Sequence, residues 1–234
     1  MKKVSESTVG RLSLYLRLLN ELSLEGVQTL SSEELARRCG TSAAQVRKDL
    51  SFFGTFGKRG KGYGVPELIA ALRSIMGLER RWKVALVGAG KIGVALLGYK
   101  DFRNQGFDIA AVFDADPRKV GQRFGPGIPV RPDSELEAAL QTEGIDIAIV
   151  AVPVEAAQTV VDRVIRSGIR AILNFAPTKL TVPEGIALKN VNMAVELEGL
   201  SYALANDPCR SRSVREAAAR SFTSPRNGTY RSEY

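Results

Sequence analysis

A buried-strand pattern that runs directly into a glycine loop constrains this chain more than any other feature. Residues 84–87 read Val-Ala-Leu-Val, an apolar run typical of a strand buried on both faces of a parallel sheet. Residues 88–93 follow as Gly-Ala-Gly-Lys-Ile-Gly, and an amphipathic helical pattern comes next. Strand, Gly-x-Gly-x-x-Gly turn and helix in this order predict a dinucleotide-binding unit.

Each glycine of this fingerprint has a predicted role. Gly88 permits the tight turn, Gly90 lets the backbone approach a pyrophosphate, and Gly93 lets the helix pack close to the strand. The phosphates would lie at the N-terminus of the helix, where the N–H groups and the helix dipole favour anions. The candidate cofactor-binding residues of the loop are Gly88, Ala89, Gly90, Lys91, Ile92 and Gly93.

The fingerprint also requires an acidic residue at the end of the next strand. Residues 108–114 read Asp-Ile-Ala-Ala-Val-Phe-Asp, and Asp114 lies 21 residues beyond Gly93. Its carboxylate would accept hydrogen bonds from an adenosine ribose and repel a 2′-phosphate, which favours NAD(H) over NADP(H). The neighbouring cations Arg118 and Lys119 weaken the second argument, and a loop-capping role for Asp114 is the alternative.

Strand and helix patterns alternate from residue 82 to residue 206 and predict a Rossmann-type, doubly wound parallel sheet. Apolar strands are expected at 146–152 and 171–175, a last strand at 190–195, and a helix at 196–206. Ligands of such sheets bind beyond the carboxyl ends of the strands. We therefore expect Val152, Pro153, Asn174 and Phe175 on the nicotinamide side of the site.

The first 83 residues predict a different kind of domain. They hold 15 Lys and Arg against eight Asp and Glu, so they carry most of the net charge of +8. A long helix at 7–25 is followed by two helices joined by a glycine turn, the helix-turn-helix pattern. Its third helix runs from about residue 43 to 53, with Gln45, Arg47, Lys48 and Ser51 as candidate DNA-binding residues. An ordinary solvated helix face is the alternative.

A stretch in which glycines alternate with cations and aromatic residues follows, at positions 54–65. It predicts a β-hairpin wing with a basic tip that carries Lys58, Arg59 and Lys61. An arginine in such a tip is suited to a narrow minor groove. Between Arg37 and Lys61 there are seven cations and one acid, Asp49, so this region is the predicted polyanion-binding surface.

Several function classes are excluded or disfavoured by composition. The chain has no histidine, which removes the commonest general base and metal ligand, and we expect no metal site. Cys39 and Cys209 lie far apart and are expected to be reduced thiols. No apolar run long enough to span a membrane occurs, and the first residues are not those of a signal peptide. These features predict a cytoplasmic protein.

The chain resembles the Rex family of redox-sensing transcriptional repressors over roughly residues 7–205. The resemblance rests on Arg-Lys-Asp-Leu-Ser-Phe-Phe-Gly at 47–54, the wing at 57–63, the fingerprint at 88–93, Val-Pro at 152–153, and Ile-Leu-Asn-Phe-Ala-Pro at 172–177. It implies a homodimer that binds inverted-repeat operator DNA when NAD⁺ is abundant and releases it when NADH binds. NADH and NAD⁺ would thus be sensed ligands, and the chain would not be an enzyme.

The resemblance also implies that the C-terminal helix, here 196–206, is exchanged between subunits, and that Tyr99 lies near the nicotinamide. The family usually has Asn-Val-Asp at the end of the last strand, whereas this chain has Asn-Val-Asn at 190–192. Because NADH and NAD⁺ differ only at the nicotinamide ring, Tyr99, Phe175 and Asn192 are the candidates for telling them apart. Ordinary core packing is the alternative for Tyr99.

The predicted architecture is a winged helix-turn-helix domain at 1–80, a Rossmann domain with its dimer helix at 81–206, and a flexible basic tail at 207–234. Two other functions remain open from the residues alone. One is a dinucleotide-dependent dehydrogenase with a regulatory N-terminal domain, for which Tyr99, Glu155 or Lys179 would have to move the proton. The other is a DNA-binding protein whose Rossmann domain is only a dimerisation scaffold.

Overall fold

The computed structural model describes residues 4–57, 60–125 and 127–206. Within them the chain forms two compact units. The first unit comprises residues 1–83 together with 99–109, and the second comprises 84–98 together with 110–234, as far as each is described. The domain limits of 1–80, 81–206 and 207–234 stay predictions; the compact units differ from them in grouping segment 99–109 with the first unit.

The first unit is a winged helix-turn-helix domain. Its leading elements are α1 (Glu6–Leu24), β1 (Thr29–Leu30), α2 (Ser32–Arg38), α3 (Ala43–Ser51), β2 (Tyr63–Gly64) and α4 (Val65–Ile75). Ser31 caps α2, because its hydroxyl accepts a hydrogen bond from the Glu34 N–H. Helix α1 is capped in the same way by Ser5, whose hydroxyl accepts from the Thr8 N–H. The apolar stripe of α1 packs into the core of this unit.

The wing differs in its pairing from the hairpin that the sequence predicts. Strand β2 pairs antiparallel with β1, with Thr29 opposite Gly64 and Leu30 opposite Tyr63. The chain before the wing tip, at 54–57, forms no strand. The partner of β2 is therefore the link between α1 and α2, which anchors the base of the wing to the helix-turn-helix. Tyr63 is buried at this anchor.

The second unit is built around one seven-stranded sheet. The remaining elements of the chain are β3 (Trp82–Val87), α5 (Lys91–Leu97), α6 (Lys100–Asn104), β4 (Phe107–Asp114), β5 (Arg123–Phe124), β6 (Ile128–Pro132), α7 (Leu136–Thr142), β7 (Ile147–Val150), α8 (Val154–Arg166), β8 (Ala171–Asn174), β9 (Ala187–Asn190) and α9 (Met193–Ala205). The order across the sheet is β5-β6-β4-β3-β7-β8-β9.

This strand order confirms the Rossmann-type, doubly wound fold. From β3 the chain builds outward through β4 to β6, then returns to the other side of β3 and builds outward through β7, β8 and β9. Strands β7, β8 and β9 follow β3 in parallel, and β4 is parallel to β6, while the short β5 is antiparallel. The direction of winding changes between β3 and β7, which is where such folds bind ligands.

The end of the second unit is folded differently from the predicted strand at 190–195. Strand β9 ends at Asn190, and helix α9 begins at Met193. The reason is local, because Asn192 acts as the helix N-cap and its side-chain oxygen accepts a hydrogen bond of 3.0 Å from the Ala194 N–H. The sequence predicts this helix correctly but starts it three residues too late.

Segment 99–109 completes the first unit although it lies within the chain of the Rossmann fold. It contains α6 and the start of β4, and Phe107 packs against the core that α1, α3 and α4 form. Arg81 also holds the segment. Its guanidinium donates a hydrogen bond of 3.1 Å to the Arg103 carbonyl and pairs with both carboxylate oxygens of Asp108. The first unit is thus assembled from two stretches of chain.

Close packing between the fingerprint loop and α5 explains two of its glycines. Gly88 has φ +103°, a conformation that favours glycine, and a Cβ there would overlap the carbonyl of Ala151. A Cβ at Gly93 would overlap the carbonyl oxygen of Gly88. Gly90 differs, since its φ is −80° and nothing lies within 4 Å of the position of a Cβ.

These surroundings predict that two alanine substitutions in the same loop differ in their effect on the stability of the fold. Gly93→Ala should lower the free energy of unfolding by about 2 kcal/mol or more, because the added methyl group pushes α5 away from β3. Gly90→Ala should change it by less than about 1 kcal/mol. Urea unfolding of the full chain, followed by circular dichroism, measures both. Equal stability losses in the two variants would contradict the packing role of Gly93.

Candidate functional site

A cavity of about 550 Å³ opens at the place where the winding direction of the sheet changes. Its wall includes the end of β3 and the fingerprint loop, the end of β4, and the chain that follows β7. Predicted cofactor-binding residues in this wall are Gly88, Gly90, Asp114, Val152 and Pro153. The volume falls within the usual range for small-molecule and cofactor sites.

Asp114 connects the two halves of this wall. Its Oδ2 accepts a hydrogen bond of 2.7 Å from the Ala89 N–H and forms an ion pair with Lys119 Nζ at 2.8 Å. Its Oδ1 accepts a hydrogen bond of 2.8 Å from the Asp116 N–H. Burial alone would raise the pKa of Asp114, but these donors outweigh it and lower the pKa. The carboxylate therefore stays charged at neutral pH while it orders the fingerprint loop.

The cations near Asp114 are both paired with carboxylates. Lys119 is bound to Asp114 as described, and Arg118 donates to Asp116 through Nε at 3.0 Å and Nη2 at 2.9 Å. At the opposite side of the cavity, Arg163 is paired with Asp133 at 2.6 Å and with Glu137 at 2.5 Å. The two cations that line the wall, Lys119 and Arg163, and Arg118 beside it are thus paired with carboxylates.

Several cavity-lining residues were missed by the sequence analysis. Helix α8 contributes Ala156, Thr159, Val160 and Arg163, positions that recur every three or four residues and so share one helix face. That periodicity, in a helix that starts directly after Val152 and Pro153, is the signal from which they could have been found. Lys119 and Asp133 line the wall as well.

Other predicted cofactor-binding residues lie outside the cavity wall. Lys91 and Ile92 are exposed at the start of α5, while Ala89 and Gly93 are buried within the loop and the helix contact. Asn174 is fully buried, donates to the Ala176 carbonyl and to Asn190 Oδ1, both at 2.9 Å, and accepts 2.9 Å from the Ala176 N–H. It ties the loop after β8, which contains Phe175, to the end of β9.

Tyr99 is half exposed and belongs to the first unit. Its ring packs edge-on against Phe102 with the centroids 5.1 Å apart, and its hydroxyl contacts Asp101 Oδ2 at 3.2 Å. Asn192 serves as the N-cap of α9. A nicotinamide-reading role for these two residues stays a prediction.

The predicted DNA-binding side chains of α3 are not all presented in the same way. Lys48 and Ser51 are exposed on α3, and Lys61 is exposed beside the wing tip. Arg47 is about half exposed but is turned back onto α2, where its Nη1 donates to Ser32 Oγ at 2.8 Å and to Glu33 Oε1 at 3.1 Å. Lys58, Arg59 and the tail from residue 207 lie outside the described residues.

Gln45 is the predicted DNA-binding residue whose placement differs most from expectation. The sequence pattern puts it on the exposed face of α3, but it is half-buried and its amide donates to Asp49 Oδ1 at 2.7 Å. Asp49 is fully buried, and it also accepts two hydrogen bonds from Arg11, at 2.6 and 2.8 Å, and one from the Tyr15 hydroxyl at 3.0 Å. This network joins α1 to α3.

The Asp49 network changes the electrostatics of the basic surface. Burial alone would raise the pKa of Asp49, but the hydrogen bonds from Arg11, Gln45 and Tyr15 outweigh it and lower the pKa. The single acid among the cations of residues 37–61 is therefore charged, neutralised by Arg11, and turned inward. The exposed side of α3 is left to Lys48 and its neighbours, as binding to a phosphate backbone requires.

Metal and membrane features are absent from the part of the chain that is described. Within residues 4–57, 60–125 and 127–206, no three Cys, Asp or Glu side chains are grouped so as to hold a metal ion. None of the helices in these ranges combines the length and the apolar character needed to cross a bilayer. Cys39 is a free thiol whose burial raises its pKa.

Two family models match successive parts of the chain. A family model described as the putative DNA-binding protein N-terminus matches residues 3–51, and one described as the CoA binding domain matches residues 79–178. A relative from Syntrophomonas wolfei is 45% identical over 203 residues, which cover 87% of this chain and 96% of the relative. One from Streptomyces coelicolor is 45% identical over 85% of this chain and 77% of the relative. Both are named redox-sensing transcriptional repressor Rex.

Solved structures give the same result for the fold. The structure of RSP, a Rex-family repressor, matches with a TM-score of 0.80 and 37% identity over 87% of this chain and 95% of that chain. RSP in complex with β-NADH matches at 0.79 and 36%, with the same coverage. RSP in complex with β-NAD⁺ and operator DNA matches at 0.83 and 35%, over 96% of this chain and 100% of that chain.

The Asp49 network generates a prediction on acid stability. Asp49→Asn should lower the free energy of unfolding by about 3 kcal/mol at pH 7, because it leaves the Arg11 charge partly buried without its anion. The pKa of Asp49 is lowered in the folded protein. Its contribution is therefore present above the unfolded value of about 3.9 and is lost as the pH falls through the folded value. The stability gap between variant and wild type should shrink between pH 5 and pH 3.

Urea unfolding at several pH values tests this, with Tyr15→Phe as the matched control. That variant removes one hydrogen bond to Asp49 but keeps the charge pair, so it should cost about 1 kcal/mol with little dependence on pH. A gap for Asp49→Asn that stays constant down to pH 3 would show that the carboxylate charge does not stabilise the fold.

Proposed function

The chain belongs to the Rex family of redox-sensing transcriptional repressors, and from this we propose that it represses transcription by binding inverted-repeat operators when NADH is scarce and leaves the DNA when NADH binds. The similarity to the RSP complex with β-NAD⁺ and operator DNA, which spans nearly the whole of both chains, carries the proposal. The family consists of repressors, so the chain acts as a regulator and not as a dehydrogenase.

The dinucleotide would occupy the cavity at the switch point of the sheet. The fit rests on two observations: the fingerprint loop is shaped by Gly88 and Gly93, and the space beside Gly90 is open. In this proposal residues 88–93 hold the pyrophosphate and Asp114 the adenosine ribose. Val152, Pro153, Asn174 and Phe175 lie toward the nicotinamide, and Tyr99 and Asn192 stay candidates for telling NADH from NAD⁺. NADH and NAD⁺ are the sensed ligands.

The operator would be bound by the winged helix-turn-helix unit. Helix α3 supplies Gln45, Arg47, Lys48 and Ser51, and the wing supplies Lys58, Arg59 and Lys61. Arg47 would leave Glu33 and Ser32 to reach a phosphate or guanine. The exchange costs little, because its ion pair is one contact of 3.1 Å to a glutamate whose side chain is 68% exposed. Gln45 would contact DNA only if it left Asp49, so we assign it a minor part in base reading.

A second copy of the chain is the proposed partner of helix α9. Every residue of this helix is exposed, including apolar side chains as large as Leu197, Leu200 and Tyr202, whose exposed fractions are 66%, 62% and 72%. A helix so apolar is expected to be buried against another surface. We propose that α9 is exchanged between the two subunits of a homodimer, which also supplies the two-fold symmetry that an inverted repeat requires.

Release of DNA follows from linkage between the two sites. If NADH binds one dimer geometry better than the other, and operator DNA prefers the second, each ligand weakens the other by the same factor. The proposed dimer makes both geometries a property of the pair of chains rather than of one unit.

The absence of a membrane-spanning helix among the described residues is compatible with action in the cytoplasm, where we place the protein.

Titration of a labelled inverted-repeat operator tests the proposed function. Fluorescence anisotropy should show two chains per operator and a loss of operator affinity of about tenfold or more with NADH, but not with NAD⁺. The Gly90→Val variant is the matched control. The open space at Gly90 lets it fold, while its side chain blocks the dinucleotide, so it should bind operator and ignore NADH.

Three results would contradict the proposal. Operator binding that ignores both dinucleotides in the wild type would favour a Rossmann domain that serves only as a scaffold. Release by NADH in Gly90→Val would remove the dinucleotide from the fingerprint loop. Binding of one chain per operator would contradict the dimer.

The DNA surface generates a separate prediction on salt dependence. Lys48→Ala should weaken operator binding and lower the slope of log K against log salt concentration by about one per chain, because one phosphate contact is lost. Arg170→Ala removes the same charge from an exposed position of the second unit and should leave the slope unchanged. Equal slopes for Lys48→Ala and the wild type would move the exposed face of α3 away from the DNA backbone.

A further inference from the structure

Asp116 holds an arginine that would otherwise be well placed to bind phosphate. Its side chain lines the cavity beside Asp114 and Lys119. Oδ1 accepts hydrogen bonds of 3.0 Å from both the N–H and the Nε of Arg118, and Oδ2 accepts 2.9 Å from Arg118 Nη2. The Arg118 side chain is 89% exposed, whereas that of Asp116 is 24% exposed. The anion is thus fixed in the wall, and the cation folds back onto it.

Recognition of a 2′-phosphate requires a cation that is free to pair with it. Sites that accept NADP(H) place an arginine near the end of the second strand, where the guanidinium binds phosphate oxygens through two parallel hydrogen bonds. In this chain two cations, Arg118 and Lys119, lie within five residues of the end of that strand, at Asp114. Their presence alone would suit a 2′-phosphate.

The observed pairing removes both cations from that role. Lys119 is bound to Asp114, and the donors that Arg118 would offer to a phosphate, Nε and Nη2, are bound to Asp116. The hydrogen bonds from Arg118 lower the pKa of Asp116 to about 2, so this anion stays charged at any physiological pH. A 2′-phosphate would meet two carboxylates and no unpaired guanidinium at this end of the cavity.

We propose that Asp116 is a specificity-determining residue, which excludes 2′-phosphorylated dinucleotides by keeping the Arg118 guanidinium on its own carboxylate. The inference rests on the proposed binding of NADH in this cavity and goes beyond the fingerprint, whose discriminating acid is Asp114. In this proposal two acids select against NADP(H): Asp114 repels the 2′-phosphate, and Asp116 keeps Arg118 from pairing with it. The chain therefore contains a phosphate-binding group that is kept inactive by one neighbour.

The substitution Asp116→Asn separates these two functions. An asparagine oxygen can still accept the hydrogen bond from the Arg118 N–H, so the turn is kept. The amide nitrogen cannot accept from Arg118 Nη2, and the amide carries no charge, so the two-point ion pair is reduced to at most one neutral hydrogen bond from Nε and the guanidinium is free to leave it. Asp116→Ser provides a second variant, with a hydroxyl that also accepts from the backbone N–H. Circular dichroism and the urea midpoint establish that each variant is folded.

The experiment measures the dissociation constants of NADH and NADPH for four full-length proteins by titration calorimetry. These are the wild type, Asp116→Asn, Arg118→Ala and the double variant. In Asp116→Asn, the ratio of the NADPH constant to the NADH constant should fall by about tenfold relative to the wild type. In the double variant it should return to within about threefold of the wild type. Arg118→Ala alone should leave the ratio unchanged, because the arginine it removes is already engaged.

The comparison of all four proteins separates the contribution of Arg118 to NADPH binding from the effect of removing the negative charge of Asp116. A double variant that keeps the full gain in NADPH binding would assign the effect to repulsion by Asp116 and overturn the proposal. Weaker NADPH binding in Arg118→Ala would show that the arginine is already free in the wild type, which also overturns it. NADH binding with an unchanged ratio in Asp116→Asn overturns the specificity role alone. A wild type that binds neither dinucleotide overturns the proposed function as well.

Discussion

The contact between Gly93 and the carbonyl of Gly88 is the constraint on which the ligand-binding half of the molecule depends. Because neither residue has a side chain, α5 lies directly against the end of β3, and the loop between them is short and compact. The Ala89 N–H then falls within reach of Asp114 at the end of the neighbouring strand. The loop and the anion are consequently held together, and both form part of the wall of the cavity at the switch point of the sheet.

Each compact unit is ordered by one buried carboxylate with several donors. Asp49 receives hydrogen bonds from α1 and from its own helix, and Asp114 receives them from the fingerprint loop, from the following turn and from Lys119. A buried anion is costly unless its lone pairs are occupied, so such a network tolerates few alternative arrangements. The proposed DNA-binding helix α3 and the proposed dinucleotide cavity are thus each held in place by hydrogen bonds to one carboxylate, Asp49 in the first case and Asp114 in the second.

The fold could be predicted from the sequence because it is encoded by local signals. Apolar strands, the Gly-x-Gly-x-x-Gly spacing and the helix-turn-helix pattern are each local signals, and the structure confirms the two architectures they indicate. The site was harder to predict, because pairing between distant side chains decides which groups face the ligand. Gln45 was assigned to the DNA face since its helical position is exposed in isolation, but Asp49 draws it inward. Arg118 and Lys119 weaken the argument for NAD(H) when only the sequence is considered, but in the structure carboxylates hold both cations.

The first unit is made from two separate stretches of chain, and this has a consequence for how the protein can be divided or recombined. Phe107 fills part of the core of the helix-turn-helix unit, and Arg81 fastens segment 99–109 through Asp108. A fragment that stopped at residue 80 would lack both, and would expose the core surface that Phe107 covers. The winged helix-turn-helix unit therefore cannot be exchanged between regulators by replacing the N-terminal residues alone. A functional chimera would have to carry segment 99–109 along with residues 1–83.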